Sequence, residues 1–205
     1  MTSGFTRLGF LILRHARQVA LLPMLVLAPA AVAAQTAEPS STTATYGAWT
    51  VTCSTPAASG EATAAEKICQ MTISLSVKGT DGQVRPLIEM AIGQPLGGEG
   101  PRVVVQVPID VALREPVVIS VDAEGSDGTQ TPKPQTELVT ASYFACVPTG
   151  CIADAAVSAD TVAALTTAAA TNVTFTALAA ARKITVPVPM TGFGDAWAAL
   201  GLSAP

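Results

Sequence analysis

The sequence of 205 residues holds one histidine, His15, and that residue lies in a segment whose composition marks it for removal. Residues 1–34 carry Arg7, Arg14, His15 and Arg17 but no acid, followed by the apolar stretch from Val19 to Ala28 and the small-residue run from Ala30 to Ala34. A basic start, a short apolar run and a small-x-small end are what signal peptidase requires, so residues 1–34 are expected to be a signal peptide cleaved after Ala33 or Ala34. Once they are gone no histidine is left. Serine-histidine and cysteine-histidine catalysis, and every histidine metal site, go with it.

Long apolar runs are also lacking. The stretch before Ala28 contains Pro23 and falls well short of the ~20 residues that span a bilayer, and no later run comes closer, so no transmembrane segment is expected after cleavage. No cysteine follows the small-residue run, which excludes a lipoprotein thioether. Charge is scarce at 13%, and eight Lys and Arg beyond residue 34 face all 15 Asp and Glu. An acid excess with one adjacent basic pair, Arg182-Lys183, excludes the clustered positive face that nucleic acid needs. Aromatics are only 4% of the chain, too few for a carbohydrate-stacking platform. Gly97-Gly-Glu-Gly100 is flanked by prolines and opens no helix, so no phosphate-binding loop and no cofactor is expected.

What remains is a chain that suits one domain, with four cysteines. In an oxidising compartment these read as disulfides. Three pairings are possible. Cys146 and Cys151 bracket Val-Pro-Thr-Gly, where Pro148 and Gly150 suit a tight turn. Cys53 and Cys69 would then close a polar loop between two strands. The C-x4-C spacing is not that of a redox pair, and paired short zinc spacings are absent.

Residues 35–45 are small and polar, with nothing to bury, and predict a flexible leader before a domain of residues 46–202. From Tyr46 a two-residue alternation dominates. Trp49, Val51 and Cys53 share one face; Cys69, Met71, Ile73, Leu75 and Val77 share another. Further strands are expected over Leu87–Ile92, Arg102–Val107, Val117–Val121, Leu138–Cys146, Asn172–Leu178 and Ile184–Val188. Ser158 or Asp160 is placed to cap a short helix containing Val162, Leu165 and Ala169, and a last helical turn is expected over Asp195–Leu200. Short strands separated by turns predict an all-β sandwich with one or two short helices near the C-terminus.

Five strings then coincide with a known pattern: Tyr46-Gly-Ala-Trp-Thr-Val-Thr-Cys53, Cys69 heading a strand, Val107-Pro-Ile-Asp-Val-Ala-Leu113, Cys146-Val-Pro-Thr-Gly-Cys151, and Met190-Thr-Gly-Phe-Gly-Asp-Ala-Trp-Ala-Ala-Leu200. In this order they resemble the invasion-associated locus B (IalB) family, from about Tyr46 to Leu200. The resemblance implies an exported alphaproteobacterial protein with an immunoglobulin-like β-sandwich, whose founding members are associated with entry into host red cells. It brings no catalytic motif. Family members often have Leu-Gly where this chain has Ile109-Asp110, and the stretch from Asp122 to Glu137 looks expanded.

Candidate chemistry is thin. Asp110 with Glu115, or Asp122 with Glu124, offer paired carboxylates for acid/base hydrolysis, but scattered acids are also what solubility requires. Ser76 and Lys78 share a strand face and permit a serine-lysine dyad, against the plainer reading of a solvated strand end. Asn172-Val-Thr174 fits a glycosylation sequon, which a bacterial source makes a coincidence. Trp49, Trp197, Phe144, Phe175 and Phe193 fall in apolar registers and are expected in or beside the core, and Tyr46 and Tyr143 at its margin or exposed. The leading expectation is a non-enzymatic periplasmic or secreted domain that binds an unidentified protein or envelope component and has a virulence association. The alternative is an envelope-acting enzyme or enzyme inhibitor using surface carboxylates.

Overall fold

The structure, a computed structural model, describes residues 40–55, 67–95, 98–122, 135–179 and 181–202. The expected signal peptide and the first part of the leader lie outside these residues, as does Glu124. Among these residues ten strands form: β1 (Ser40–Tyr46), β2 (Trp49–Thr55), β3 (Ile68–Lys78), β4 (Val84–Gly93), β5 (Arg102–Val107), β6 (Val117–Asp122), β7 (Gln135–Val147), β8 (Gly150–Ala156), β9 (Ala170–Ala177) and β10 (Arg182–Pro189). Two helices accompany them, α1 (Ala159–Thr167) and α2 (Phe193–Leu200). All the strand pairs are antiparallel, in the order β1-β2-β3-β4-β5-β8-β7-β6-β9-β10.

Strand β7 makes the sheet two-layered. Its first half, up to Ala141, pairs with β6, and from Ser142 onward it pairs with β8. Sections β1–β5/β8 and β6/β9/β10 thereby contribute to one hydrophobic core, in which Val51, Met71, Met90 and Val105 of the first meet Ile119, Val173, Phe175 and Val188 of the second. The architecture is the expected all-β, sandwich-like one. Alternation explains which residues enter it: along β5 Val103, Val105 and Val107 are buried while Arg102, Val104 and Gln106 are half-exposed.

Helix α1 is capped as the residues anticipate, with Ser158 Oγ accepting from the Thr161 N–H at 3.1 Å. Helix α2 starts at Phe193, two residues earlier than expected, and buries Phe193, Ala196, Trp197 and Leu200. Strand β1 is a larger difference, because Ser40–Thr45 belongs to the segment expected to be a flexible leader. Its side chains are exposed; its order comes from seven residue pairs with β2, a backbone ladder that composition does not announce. Strand β8 was not expected either.

Candidate functional site

The family-like strings come together in two places. At the first, the β1–β2 turn meets the turn before α2. The Ala48 N–H donates to the Thr191 carbonyl oxygen at 2.9 Å. Gly47 and Gly192 both adopt positive φ, at 57° and 83°. A Cβ on Gly47 would lie 2.4 Å from the Thr191 oxygen, and one on Gly192 would lie 2.2 Å from the Tyr46 oxygen, so only glycine allows the two backbones to touch. Directly behind them Trp49 packs edge-on against Phe193, with ring centroids 5.3 Å apart at 81°. Both rings are fully buried. This clasp is a packing device with no titratable side chain at its centre.

At the second place, the β5–β6 connection crosses the end of β9. Val111 pairs with Ala177, the Ala112 N–H donates to the Thr176 oxygen at 2.9 Å, and the Leu178 N–H donates to the Asp110 oxygen at 3.0 Å. Cys151 Sγ lies 3.8 Å from the Ile109 oxygen, so the β7–β8 hairpin adjoins the same connection. Here large side chains are exposed.

Disulfides join Cys53 to Cys69 and Cys146 to Cys151, in each case between directly paired residues of neighbouring strands. Cys53 and Cys151 are buried, whereas Cys146 is exposed at the hairpin.

Asp122 stands apart from the other candidate acids, Asp110 and Glu115, and its sequence partner Glu124 lies outside the described residues. Asp110 and Glu115 are exposed in the β5–β6 connection, and Glu115 accepts a hydrogen bond from Thr176 Oγ1 at 2.7 Å. Asp122 stands at the far end of β6, where Asn172 Nδ2 donates to it at 3.3 Å. At ~3.3 Å per strand residue, Glu115 and Asp122 are roughly 20 Å apart, too far to share a substrate bond. Asn172 itself sits within paired β9, not in an open loop. Ser76 and Lys78 are both exposed at the end of β3. Among the described residues no group of three or more His, Cys, Asp or Glu is placed to hold a metal, and no helix is long and apolar enough to cross a membrane.

Phe144 departs from its expected place. Between Tyr143 and Ala145 the pairing with β8 shifts by one residue, and this bulge leaves Phe144 63% exposed. It borders a concavity of about 390 Å³ on the outer face of β3, β4, β5 and β8, lined also by Gln70, Ala91, Gly93, Arg102 and Asp154. Ala91 and Gly93 keep the floor low, and a Cβ on Gly93 would come within 2.9 Å of the Cys69 oxygen. Arg102 and Asp154 neutralise one another across the wall, with Nε donating to Oδ2 at 2.7 Å. Among the described residues that line the concavity, Asp154 is the one acid.

Tyr143, next to the bulge, points its hydroxyl into a buried position without a hydrogen-bond partner, and burial pushes its pKa up to about 12. Nothing in the sequence distinguished it from Tyr46.

Residues 49–201 match the model of the invasion-associated locus B protein family. The chain belongs to the IalB family. Its fold is similar to the crystal structure of invasion-associated protein B from Bartonella henselae, with 25% identity and a TM-score of 0.54, over 78% of this chain and 94% of that one. A comparison with curated proteins gives no match. The IalB match begins at Trp49 and ends at Gly201, so it encloses both the clasp and the β5–β6 connection.

Proposed function

We propose that this IalB-family protein is an exported, non-enzymatic domain of the periplasm or cell exterior that binds an envelope or host component, and that the virulence association suggested by the name of its Bartonella relative follows from that binding. One observation carries the reading: a β-bulge presents Phe144 to solvent beside a shallow concavity whose Arg102 and Asp154 pair with each other. A large aromatic held out of the core on a rigid sheet is the usual anchor of a protein contact. Family membership and the N-terminal export pattern support the location, and the absence of histidine beyond residue 34 supports the lack of catalysis.

The test combines fractionation of source cells with assays of the purified protein on peptidoglycan, ester and peptide substrates. Recovery outside the cytoplasm with no turnover is the expected result. Turnover abolished by replacing Asp110 and Glu115 together would overturn the reading. Phe144→Ser should remove partner capture from envelope fractions while leaving the unfolding free energy from urea titration within about 0.5 kcal/mol of the wild type, as for an exposed side chain.

A further inference from the structure

Four of the seven exposed large hydrophobic residues of the described structure lie in the connections around Pro108, two more lie on the neighbouring β3–β4 hairpin, and Phe144 is the seventh. Ile109 is 57% exposed, Leu113 54%, Leu178 63% and Val147 39%. Their segments are tied together by the Asp110–Leu178 and Ala112–Thr176 hydrogen bonds and the Cys151–Ile109 contact. Pro86 and Leu87 of β4 line a recess with Pro108 and Thr149, and beyond them the β3–β4 hairpin carries the other two, Val77 and Val84.

Cations gather at the same place. Arg114 lies in the β5–β6 connection, and Arg182 and Lys183 begin β10 opposite Ala177 and Thr176; all three are exposed. Lys78 and Arg85 stand on the β3–β4 hairpin. These are five of the eight basic side chains beyond residue 34, in a chain that is acidic as a whole. The acids of these segments are Asp81, which Arg85 pairs, Glu89, which lines the same recess, Asp110 and Glu115, so the five cations outnumber them by one.

We propose that this surface docks on an anionic lipid bilayer, with its aliphatic tips entering the interface and its cations meeting the headgroup phosphates. Separate loops tipped by Ile, Leu and Val and flanked by Arg and Lys match what an interfacial anchor requires. A protein partner is the weaker fit, because the apolar anchors of protein hot spots are Trp and Tyr more than Leu and Val, and the exposed large residues described on this surface are all aliphatic. The inference uses the exported reading only to say which membranes the surface meets; the binding itself is independent of it.

Flotation with vesicles tests it, using protein purified from cells expressing the whole chain, its N-terminus identified by mass spectrometry. Vesicles of phosphatidylcholine with one-quarter phosphatidylglycerol are compared with phosphatidylcholine alone. The protein is expected to float with the anionic vesicles, to bind the neutral ones roughly tenfold less, and to be released by salt. Ile109→Ser with Leu178→Ser, and separately Arg182→Gln with Lys183→Gln, should each lower the anionic binding roughly tenfold. Because the variants share the wild-type N-terminus, any binding through that segment cancels in the comparison, and unchanged urea midpoints show that they are folded. No flotation, equal binding to neutral vesicles, or binding that neither variant alters overturns the proposal. Self-association abolished by the same substitutions, without flotation, assigns the surface to a second copy and also overturns it. Any of these failures leaves the non-enzymatic reading intact, since turnover assays test that separately.

Discussion

The clasp and the connection surface are both built from turns that carry family-like strings, and they treat their large residues in opposite ways. At the clasp, Trp49, Phe193 and Trp197 are buried behind a glycine contact that excludes any side chain. At the connection surface, the backbone is equally well tied, yet Ile109, Leu113 and Leu178 face solvent. The difference teaches that a matching string marks a required backbone path, and that the burial of its side chains decides whether the path serves packing or contact.

Trp49→Ala should break the clasp most severely. Removing a fully buried indole costs about 3–5 kcal/mol, read as a lower urea midpoint. The disulfides come next and sharpen the comparison, since one lies on the clasp strand β2 and the other beside the connection surface. In the chain-entropy model, replacing Cys53 and Cys69 by Ser costs about 3 kcal/mol and replacing Cys146 and Cys151 about 2 kcal/mol, because the closed loops differ in length. A non-reducing peptide map should join the same pairs.

Tyr143→Phe should leave stability at neutral pH unchanged or slightly raised, as the lost hydroxyl is buried without a partner. The pH dependence follows from the raised pKa of about 12. An unfolded tyrosine ionises near pH ~10, so the wild type should lose stability from there up to about 12, as the folded phenol keeps a proton that the unfolded one releases. The variant should lose that slope in alkaline denaturation. The smallest effect is expected at Asp81 on the β3–β4 hairpin, where the Arg85 guanidinium, and then the Gln83 N–H, hold the carboxyl below its ordinary 3.8. A depressed carboxyl stabilises the fold above that value and ceases to as pH falls through its folded pKa, so the slight cost of Asp81→Asn should be seen at neutral pH and vanish in acid.

Strands with apolar alternation, such as β3 and β5, were legible from the sequence, and so was the Ser158 cap. Strand β8 was not, because its buried positions include Gly150 and Ala153 while the larger Ile152 is only half-buried, which blurs the alternation. Strand β1 has no apolar face before Tyr46, which packs on the core margin, and backbone pairing orders the rest. Trp49, Trp197, Phe175 and Phe193 lie in the core as their registers required, but Phe144 does not, because a bulge that no residue type signals turns it outward. The exposed aliphatics around Pro108 escaped notice for a related reason: by type Ile109 and Leu178 look like core, and only tertiary contacts show that the core ends before them.

The urea midpoint of the Ile109→Ser, Leu178→Ser double variant, measured beside that of Trp49→Ala, tests this division most directly. Side chains held out for contact contribute little to folding, so the double variant should unfold within about 1 kcal/mol of the wild type while Trp49→Ala falls by about 3 kcal/mol or more. A loss in the double variant as large as that of Trp49→Ala would show that the connection surface is a packing surface, and would contradict the account.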